Sequence, residues 1–254
     1  MKTVNDIFQY LCELAPLELQ MDFDNAGLLV GYRNAAVSRA MLALDITEEV
    51  IREAAETDAQ LIISHHPVIF HPTRSLTDRA GEAIVLHLIE NGLAAICMHT
   101  NLDIAPGGVN DVLMELLGAN VEWPLDPDNC GRVGTLPEES SMQDFLSLCK
   151  ERLKANGLRY YDAGHPVKHL AVMGGAGGDS IRHAVEKGCD TYVTADLKYH
   201  SFLDAAELGL NLIDADHFCT ENPVIGVLAE KLSLRFPDVK FVVSQRHQQV
   251  ISFF

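Results

Sequence analysis

Two adjacent histidines, His65 and His66, follow the apolar run Leu-Ile-Ile-Ser, which is typical of a buried strand. Pro67 comes next and ends strand pairing. Imidazole nitrogens bind divalent transition metals. Because neighbouring residues of a strand point to opposite faces, the two rings can hold two different ions. The alternative is one hydrogen-bonded histidine beside one exposed histidine.

A second group of polar side chains follows the apolar run Leu93–Met98 and includes His99 and Asp103. A carboxylate such as Asp103 has two oxygens and can bridge two cations. His99 can be a ligand, a group that orients a ligand, or a proton carrier. Taken alone, Asp103 is better explained as a loop or cap residue.

A third group, His217 and Glu221, follows the short strand predicted at Leu212–Ile213. The two residues are four apart, which places them on one side of a helical turn. Alternatively, Glu221 is an acid at a helix N-terminus that Thr220 caps. We interpret the nearby Cys219 as a buried thiol. Nitrogen and oxygen ligands without thiolates suit zinc, iron, manganese or nickel, and argue against a structural zinc site.

Two further segments bear on a substrate. The loop Gly174–Gly178 joins a predicted strand to a helix, where backbone N–H groups can approach a phosphate. A plain glycine turn explains it equally well. The segment 194–200 offers an acid, a cation and a base in Asp196, Lys198 and His200. The alternative is a polar helix start with Asp196 as the N-cap.

These segments are positioned by an alternation of short apolar strands with amphipathic helices, which predicts an α/β fold with mostly parallel sheets covered on both faces. One predicted helix runs from Thr77 to about Gly92. The segment Val121–Pro137 is rich in proline and polar residues and is interpreted as a connector. It divides the chain into two α/β domains, 1–125 and 126–254.

The composition excludes several classes of protein. The formal net charge of −17 argues against a general nucleic-acid surface, so DNA is an unlikely partner. No apolar run approaches the roughly 20 residues that a membrane helix needs. The N-terminal segment carries acids within its apolar part and does not resemble a signal peptide. The six cysteines are scattered without a CxxC pair, which is typical of reduced thiols in the cytoplasm.

The motifs together resemble the Nif-three-like family, whose members are often called GTP cyclohydrolase I type 2 homologs. The motifs that carry the resemblance occur in family order along the whole chain: Asp24-Asn25-Ala-Gly27, Ser64-His65-His66-Pro67, His99-Thr100-Asn101-Leu102-Asp103, the stretch 194–200 and Asp216-His217-Phe-Cys-Thr-Glu221.

The resemblance implies two similar three-layer α/β domains with mostly parallel sheets that face a cleft. It also implies a dinuclear site for two divalent ions per subunit, with ligands from both halves of the chain. These ligands fall on His65, His66, Asp103, His217 and Glu221. The resemblance further implies a ring-shaped homohexamer built as a trimer of dimers.

The function expected from these features is metal-dependent hydrolysis, with GTP or a damaged or modified nucleotide as the small-molecule substrate. His99 and His200 are the candidate catalytic residues. The alternative is a non-catalytic, ring-shaped metal-binding scaffold or interaction protein.

Overall fold

A computed structural model describes residues 1–79 and 83–254, in which strands alternate with helices. The strands are β1 (Lys2–Thr3), β2 (Gly27–Val30), β3 (Ala36–Val37), β4 (Arg39–Ala43), β5 (Leu61–Ser64), β6 (Ala94–Cys97), β7 (Asn120–Pro124), β8 (Arg132–Ser140), β9 (Arg159–Tyr161), β10 (Val167–Val172), β11 (Thr191–Thr194), β12 (Asn211–Asp214) and β13 (Lys240–Val243).

The α-helices are α1 (Val4–Leu14), α2 (Glu48–Glu56), α3 (Ala83–Glu90), α4 (Thr100–Ile104), α5 (Val109–Leu116), α6 (Met142–Arg152), α7 (Ile181–Glu186), α8 (Tyr199–Leu208), α9 (His217–Glu221) and α10 (Pro223–Arg235). Short 3₁₀ helices cover Leu17–Leu19 and Gly178–Ser180. Among the helices of the described ranges, none is both long and apolar enough to cross a membrane.

The chain divides into two compact units, each made of two segments. The first unit is Met1–Pro106 with Ile225–Gln248, and the second is Gly107–Val224 with Gln249–Phe254. The sequence analysis places its division between residues 125 and 126 instead. The segment Ile225–Gln248 lies in the first unit because β13 pairs in parallel with β4 at the edge of the sheet.

The first unit contains a five-stranded sheet in the order β13-β4-β5-β6-β2. Its strands are parallel except for β2, which runs antiparallel to β6 and begins with Gly27 opposite Cys97. The carboxyl ends of the parallel strands therefore meet at one edge, where functional groups of open α/β sheets lie. Asp45, His65 and His99 follow three of these strands, and the segment before Gly27 approaches the same edge.

The second unit contains a six-stranded sheet in the order β7-β8-β10-β11-β12-β9. The three central strands, β10, β11 and β12, are parallel, and the outer strands pair antiparallel. The carboxyl ends of the central strands lead to the loop Gly174–Gly178, to Asp196 and to His217. The polar groups of this unit thus also follow the carboxyl ends of parallel strands, which meet at one edge of the sheet.

The predicted α/β fold class is confirmed, with a mostly parallel first sheet and a mixed second sheet. Two helices of the first unit begin at a capping threonine. Thr3 caps α1 in a capping box with Asp6, and the Thr47 hydroxyl accepts a hydrogen bond from the Val50 amide in α2. Such caps satisfy amide groups that would otherwise lack partners at a helix start.

The interpretation of Val121–Pro137 as a connector is wrong, because this segment contributes to the antiparallel pair β7 and β8. Pro124 ends the edge strand β7. Pro137 lies where β8 loses its regular register with β10, between the pairs of His169 and Val167. Proline is tolerated at edges and irregularities of a sheet because no ladder hydrogen bond is lost there.

The helix predicted from Thr77 to about Gly92 is shorter in the structure. It covers Ala83–Glu90, and Thr77 lies outside it. Residues 80–82, which are part of the predicted helix, lie outside the described residues. The predicted stop is present: Gly92 has a φ of +65°, and the Leu93 amide donates to the Leu88 carbonyl.

Candidate metal centre

Three histidine side chains of the first unit come together at the carboxyl edge of its sheet. His65 and His66 directly follow β5, and His99 lies two residues after the end of β6. One ring nitrogen of each lies within 4.8 Å of one ring nitrogen of the other two. His65 is fully buried, whereas the other two are partly exposed. This group can hold a metal ion at the boundary between core and solvent.

The backbone of β6 orients the buried His65 ring. Its Nδ1 lies 2.8 Å from the carbonyl oxygen of Met98. Because a carbonyl only accepts hydrogen bonds, Nδ1 must carry the proton and donate it. The Cys97 thiol donates in turn to the His65 carbonyl, at 2.8 Å. In the neutral ring, Nε2 is then left with the lone pair that a metal requires.

Asp24 fixes His99 in the same way. The Nδ1 of His99 lies 2.7 Å from Asp24 Oδ1, and the Thr100 amide donates to Asp24 Oδ2 at 3.0 Å. Burial alone would raise the pKa of this carboxyl, but hydrogen bonds from His99 and Thr100 outweigh burial and lower the pKa to about 2. Asp24 is therefore ionised at neutral pH and accepts a hydrogen bond from Nδ1–H of His99.

Asp45 fixes His66, and the sequence analysis did not identify it. Its Oδ1 lies 2.7 Å from His66 Nδ1, and its Oδ2 lies 3.1 Å from His247 Nε2. Burial opposes ionisation, but hydrogen bonds with His247 and His66 hold the pKa of Asp45 below its usual range. Its position just after the carboxyl end of β4 was the signal that could have revealed it.

Asp103 adds a carboxylate to this group. It lies in α4, for which His99 is the N-cap residue, and the spacing of four places it one turn further along the helix. Its Oδ1 lies 3.5 Å from His65 Nε2. Asp103 thus lies in a helix beside the predicted ligand nitrogen, although its residue type alone favoured a loop or cap position.

The second unit presents His217 and Glu221 on α9. His217 Nε2 lies 3.0 Å from Glu221 Oε2, as expected for residues one turn apart. The alternative in which Thr220 caps the helix is wrong. The N-cap is Asp216, whose side chain accepts a hydrogen bond from the Cys219 amide at 3.1 Å.

Asp196 orients His217. Its Oδ2 lies 2.8 Å from His217 Nδ1, which fixes the direction of the ring, while Nε2 faces the Glu221 carboxylate. The alternative in which Asp196 caps α8 is wrong, because the N-cap residue of that helix is Lys198. Asp196 follows β11, and β11 pairs with the strand that leads to His217.

The loop Gly174–Gly178 passes directly against the Glu221 carboxylate. A Cβ at Gly175 would collide with Glu221 Oε1 and would lie 3.2 Å from Cε1 of His217. Gly175 also has a φ of +64°, a conformation that side chains disfavour. Glycine is required here because the backbone approaches a candidate ligand so closely.

Three amide groups of this loop donate hydrogen bonds within the protein. The acceptors are Asn110 Oδ1 for Gly174, Thr220 Oγ1 for Gly175 and Thr194 Oγ1 for Gly177, at 2.8, 3.0 and 2.9 Å. These amides are therefore used in holding the loop beside α9. The geometry favours a glycine turn that shapes the site over a phosphate cradle.

The donor set fits a metal of mixed nitrogen and oxygen preference. Burial raises the pKa of Cys219 to about 12, and burial also raises the pKa of Cys97, so both remain thiols. The remaining donors are imidazole nitrogens and carboxylate oxygens, which suit zinc, iron, manganese or nickel.

His200, a predicted catalytic residue, lies exposed in the first turn of α8. Its ring contacts that of Tyr199, with centroids 5.6 Å apart. In this stretch of the chain, the side chain that contacts a candidate ligand is Asp196. The catalytic roles of His200 and His99 stay predictions.

Comparison with known proteins identifies the family. The sequence model of the Duf34/NIF3 family (NGG1p interacting factor 3) matches residues 2–249. The chain belongs to the Duf34/NIF3 family. The resemblance drawn from the sequence motifs is therefore confirmed.

Relatives of this Duf34/NIF3 chain match it along almost its whole length. A GTP cyclohydrolase 1 type 2 homolog of Clostridium perfringens is 38% identical over 259 residues, which cover 98% of this chain and 99% of the relative. The crystal structure of the hypothetical protein SA1388 of Staphylococcus aureus matches with a TM-score of 0.92 at 27% identity and covers 99% of both chains. Reduced HcgD from Methanocaldococcus jannaschii matches with a TM-score of 0.85 at 31% identity, covering 96% of this chain and 98% of HcgD.

Gly175→Ala tests the close approach of the glycine loop to Glu221. The added methyl group must displace the carboxylate, so we expect the protein to lose bound metal, measured by elemental mass spectrometry after reloading. Gly188→Ala is the matched control, because Gly188 has a φ of +78° and open space around its Cβ position. It should cost about 1–2 kcal/mol of unfolding free energy and leave the metal content unchanged. Equal metal content in the two variants would contradict the proposed role of Gly175.

Asp196→Ala tests the orientation of His217. Removal of the acceptor for Nδ1 should weaken metal affinity by about 10- to 100-fold, measured by competition with a chelator. Asp204→Ala is the control, because Asp204 is an exposed acid on α8. A similar affinity in both variants would show that Asp196 does not support a metal ligand.

Proposed function

We propose that this chain is a metal-dependent hydrolase that acts on a nucleotide. The observation that carries the proposal is the shared arrangement of the four histidines described above. In each, Nδ1 lies within hydrogen-bond distance of a carbonyl or carboxylate oxygen, which fixes the tautomer and the direction of the ring. A single histidine in this arrangement is common in protein cores, but three together at the carboxyl edge of the first sheet, and one beside Glu221 in the second unit, suit metal binding in each unit.

The proposed centre takes two divalent ions per subunit, for which iron, manganese, zinc and nickel are all suitable. The ligands proposed for it are His65, His66, Asp103, His217 and Glu221. The assignment of both sets to one dinuclear centre is supported by the family resemblance and by the matching donor types in each unit. Asp103 and Glu221 are proposed to bridge the ions, because a carboxylate has two oxygens.

A bound pair of divalent ions lowers the pKa of water and stabilises negative charge on the attacked group. The protein must supply orientation and proton transfer. His99 is suited to transfer a proton, because the ionised Asp24 accepts a hydrogen bond from its Nδ1–H and fixes the direction of the ring. His200 is exposed and can exchange protons with solvent.

The proposed substrate is GTP, or a damaged or modified nucleotide. The name of the Clostridium perfringens relative, a GTP cyclohydrolase 1 type 2 homolog, supports the guanine nucleotide. In a cyclohydrolase reaction, one water adds to C8 and opens the C8–N9 bond, and a second water cleaves the C8–N7 bond of the resulting formamide to release formate and leave an amine. His99 and His200 are the proposed proton carriers for these steps.

The proposal includes a cytoplasmic location and self-association as a ring-shaped homohexamer, a trimer of dimers, as the family resemblance implies. A non-catalytic, metal-binding ring is the alternative, and it differs in having metal without turnover. The net charge of −17 weighs against DNA as the partner of such a ring.

His217→Ala tests the metal centre and the activity together. We expect untagged wild-type protein to bind about two ions per chain, and this variant to retain about one or fewer with its fold intact. Formate release from GTP, and turnover of a panel of modified nucleotides, should fall at least about 100-fold because a metal ion that activates water and stabilises negative charge is lost. Elemental mass spectrometry and product analysis measure the two effects.

His169→Ala is the matched control, since this exposed histidine lies on β10 and contacts Thr135. It should keep both the metal and the activity. Two ions retained in His217→Ala would refute the ligand assignment. Two ions in the wild type without turnover of any nucleotide would refute the hydrolase and favour the non-catalytic ring.

A further inference from the structure

Two phenylalanine side chains stand in solvent beside the histidines of the first unit. Phe23 is 64% exposed and Phe70 is 37% exposed. Their ring centroids are 6.3 Å apart, with the planes tilted by 58°. Phe70 also lies edge-on to the His99 ring, with a centroid distance of 6.1 Å and an interplanar angle of 84°. The pair therefore extends an aromatic surface from the candidate metal ligands into solvent.

The carboxylate that orients His99 also helps to hold this pair in place. Asp24, which follows Phe23, accepts hydrogen bonds from the Asn25 amide at 2.7 Å and from the Thr100 amide at 3.0 Å. The Asn25 side chain donates to the Ile69 carbonyl at 2.6 Å, directly before Phe70. The two aromatic residues are thus tied to each other and to the start of α4.

A neighbouring ring, that of His71, also contacts Phe70. His71 packs edge-on against it, with centroids 4.7 Å apart and planes at 66°. Despite these contacts, 37% of Phe70 stays exposed to solvent. Phe23 also has most of its surface in solvent. Exposed aromatic faces next to a polar site are suited to stack on a flat ligand ring.

We infer that Phe23 and Phe70 form a stacking platform for the purine ring of the substrate. The inference rests on the proposed nucleotide hydrolase and names the part of the substrate that the first unit recognises. A purine stacked at about 3.5–4.0 Å from the Phe70 ring would lie near His99, whose ring centroid is 6.1 Å from that of Phe70. The platform binds the base and places it, while the chemistry belongs to the metal centre and its proton carriers.

The purine is favoured over an aliphatic or purely anionic ligand by the chemistry of the surface. Two aromatic rings offer a face and an edge, which match the quadrupole of a flat heteroaromatic ring. Base stacking is sequence-tolerant and worth about a 5- to 150-fold change in affinity per ring removed. An inorganic polyphosphate has no such ring and gains nothing from this platform.

A tryptophan reporter tests contact with the base. The chain has one tryptophan, so Trp123→Phe combined with Phe23→Trp leaves a single fluorophore within the platform. We expect guanosine to quench its fluorescence saturably, in metal-free and zinc-loaded protein alike. Inorganic tripolyphosphate should not quench it. Absence of saturable quenching by guanosine would overturn the platform.

Affinity measurements test the contribution of each ring. Phe23→Ala and Phe70→Ala should each weaken guanosine binding by about 5- to 150-fold in equilibrium dialysis, and Phe23→Tyr should restore it. Tyr32→Ala is the control. Tyr32 is 84% exposed and lies at the opposite end of β2, where Val30 pairs with Ala95 near the start of β6. The Tyr32→Ala variant should bind guanosine with the affinity of the wild type. Circular dichroism checks that all variants are folded.

The outcomes separate this inference from the proposed function. Nucleotide turnover with unchanged KM in both alanine variants would overturn the platform and leave the hydrolase intact. Guanosine binding that depends on both rings, without turnover in any metal form, would support the platform and refute the hydrolase. Unchanged affinity with an altered assembly size in sedimentation would overturn the platform, because the rings would then serve contacts between chains.

Discussion

The site depends on one repeated interaction, the hydrogen bond at Nδ1 of each candidate histidine. An imidazole that donates from Nδ1 to a carbonyl or an ionised carboxylate has its tautomer and its ring direction fixed, and only Nε2 can then bind a metal. Because the pKa of Asp24 is low, this carboxylate, which accepts the hydrogen bond from His99, stays charged at neutral pH. The carboxylates that accept these hydrogen bonds are therefore as important to the site as the candidate ligands.

Parallel strands explain why these groups meet within each unit. The carboxyl ends of β4, β5 and β6 lie at one edge of the first sheet, and those of β10, β11 and β12 lie at one edge of the second. Each strand is therefore followed by a candidate ligand, by a group that orients a candidate ligand, or by the glycine loop beside one. The buried strands provide the rigid frame, and the polar residues directly after them provide the chemistry.

The sequence was sufficient to predict the α/β fold, most of the central strands and the spacing of His217 and Glu221, because burial and helical periodicity leave clear local patterns. It was not sufficient to assign the segment that forms β7 and β8, where prolines at an edge and an irregularity resemble a loop. Asp45 was also missed, because its position after the carboxyl end of β4 is only a weak signal for a single acid. Its role depends on His66, which lies 21 residues away in the chain. Phe23 and Phe70 are likewise joined only by the tertiary structure.

The most direct test of the account is X-ray absorption spectroscopy at the metal edge of protein reloaded with zinc. The account predicts a shell of nitrogen and oxygen ligands at about 2.0–2.2 Å, with outer-shell scattering from imidazole rings. It also predicts a second metal at about 3.5–4 Å. A sulfur shell at about 2.3 Å, or zinc without imidazole scattering and without a neighbouring metal, would contradict it.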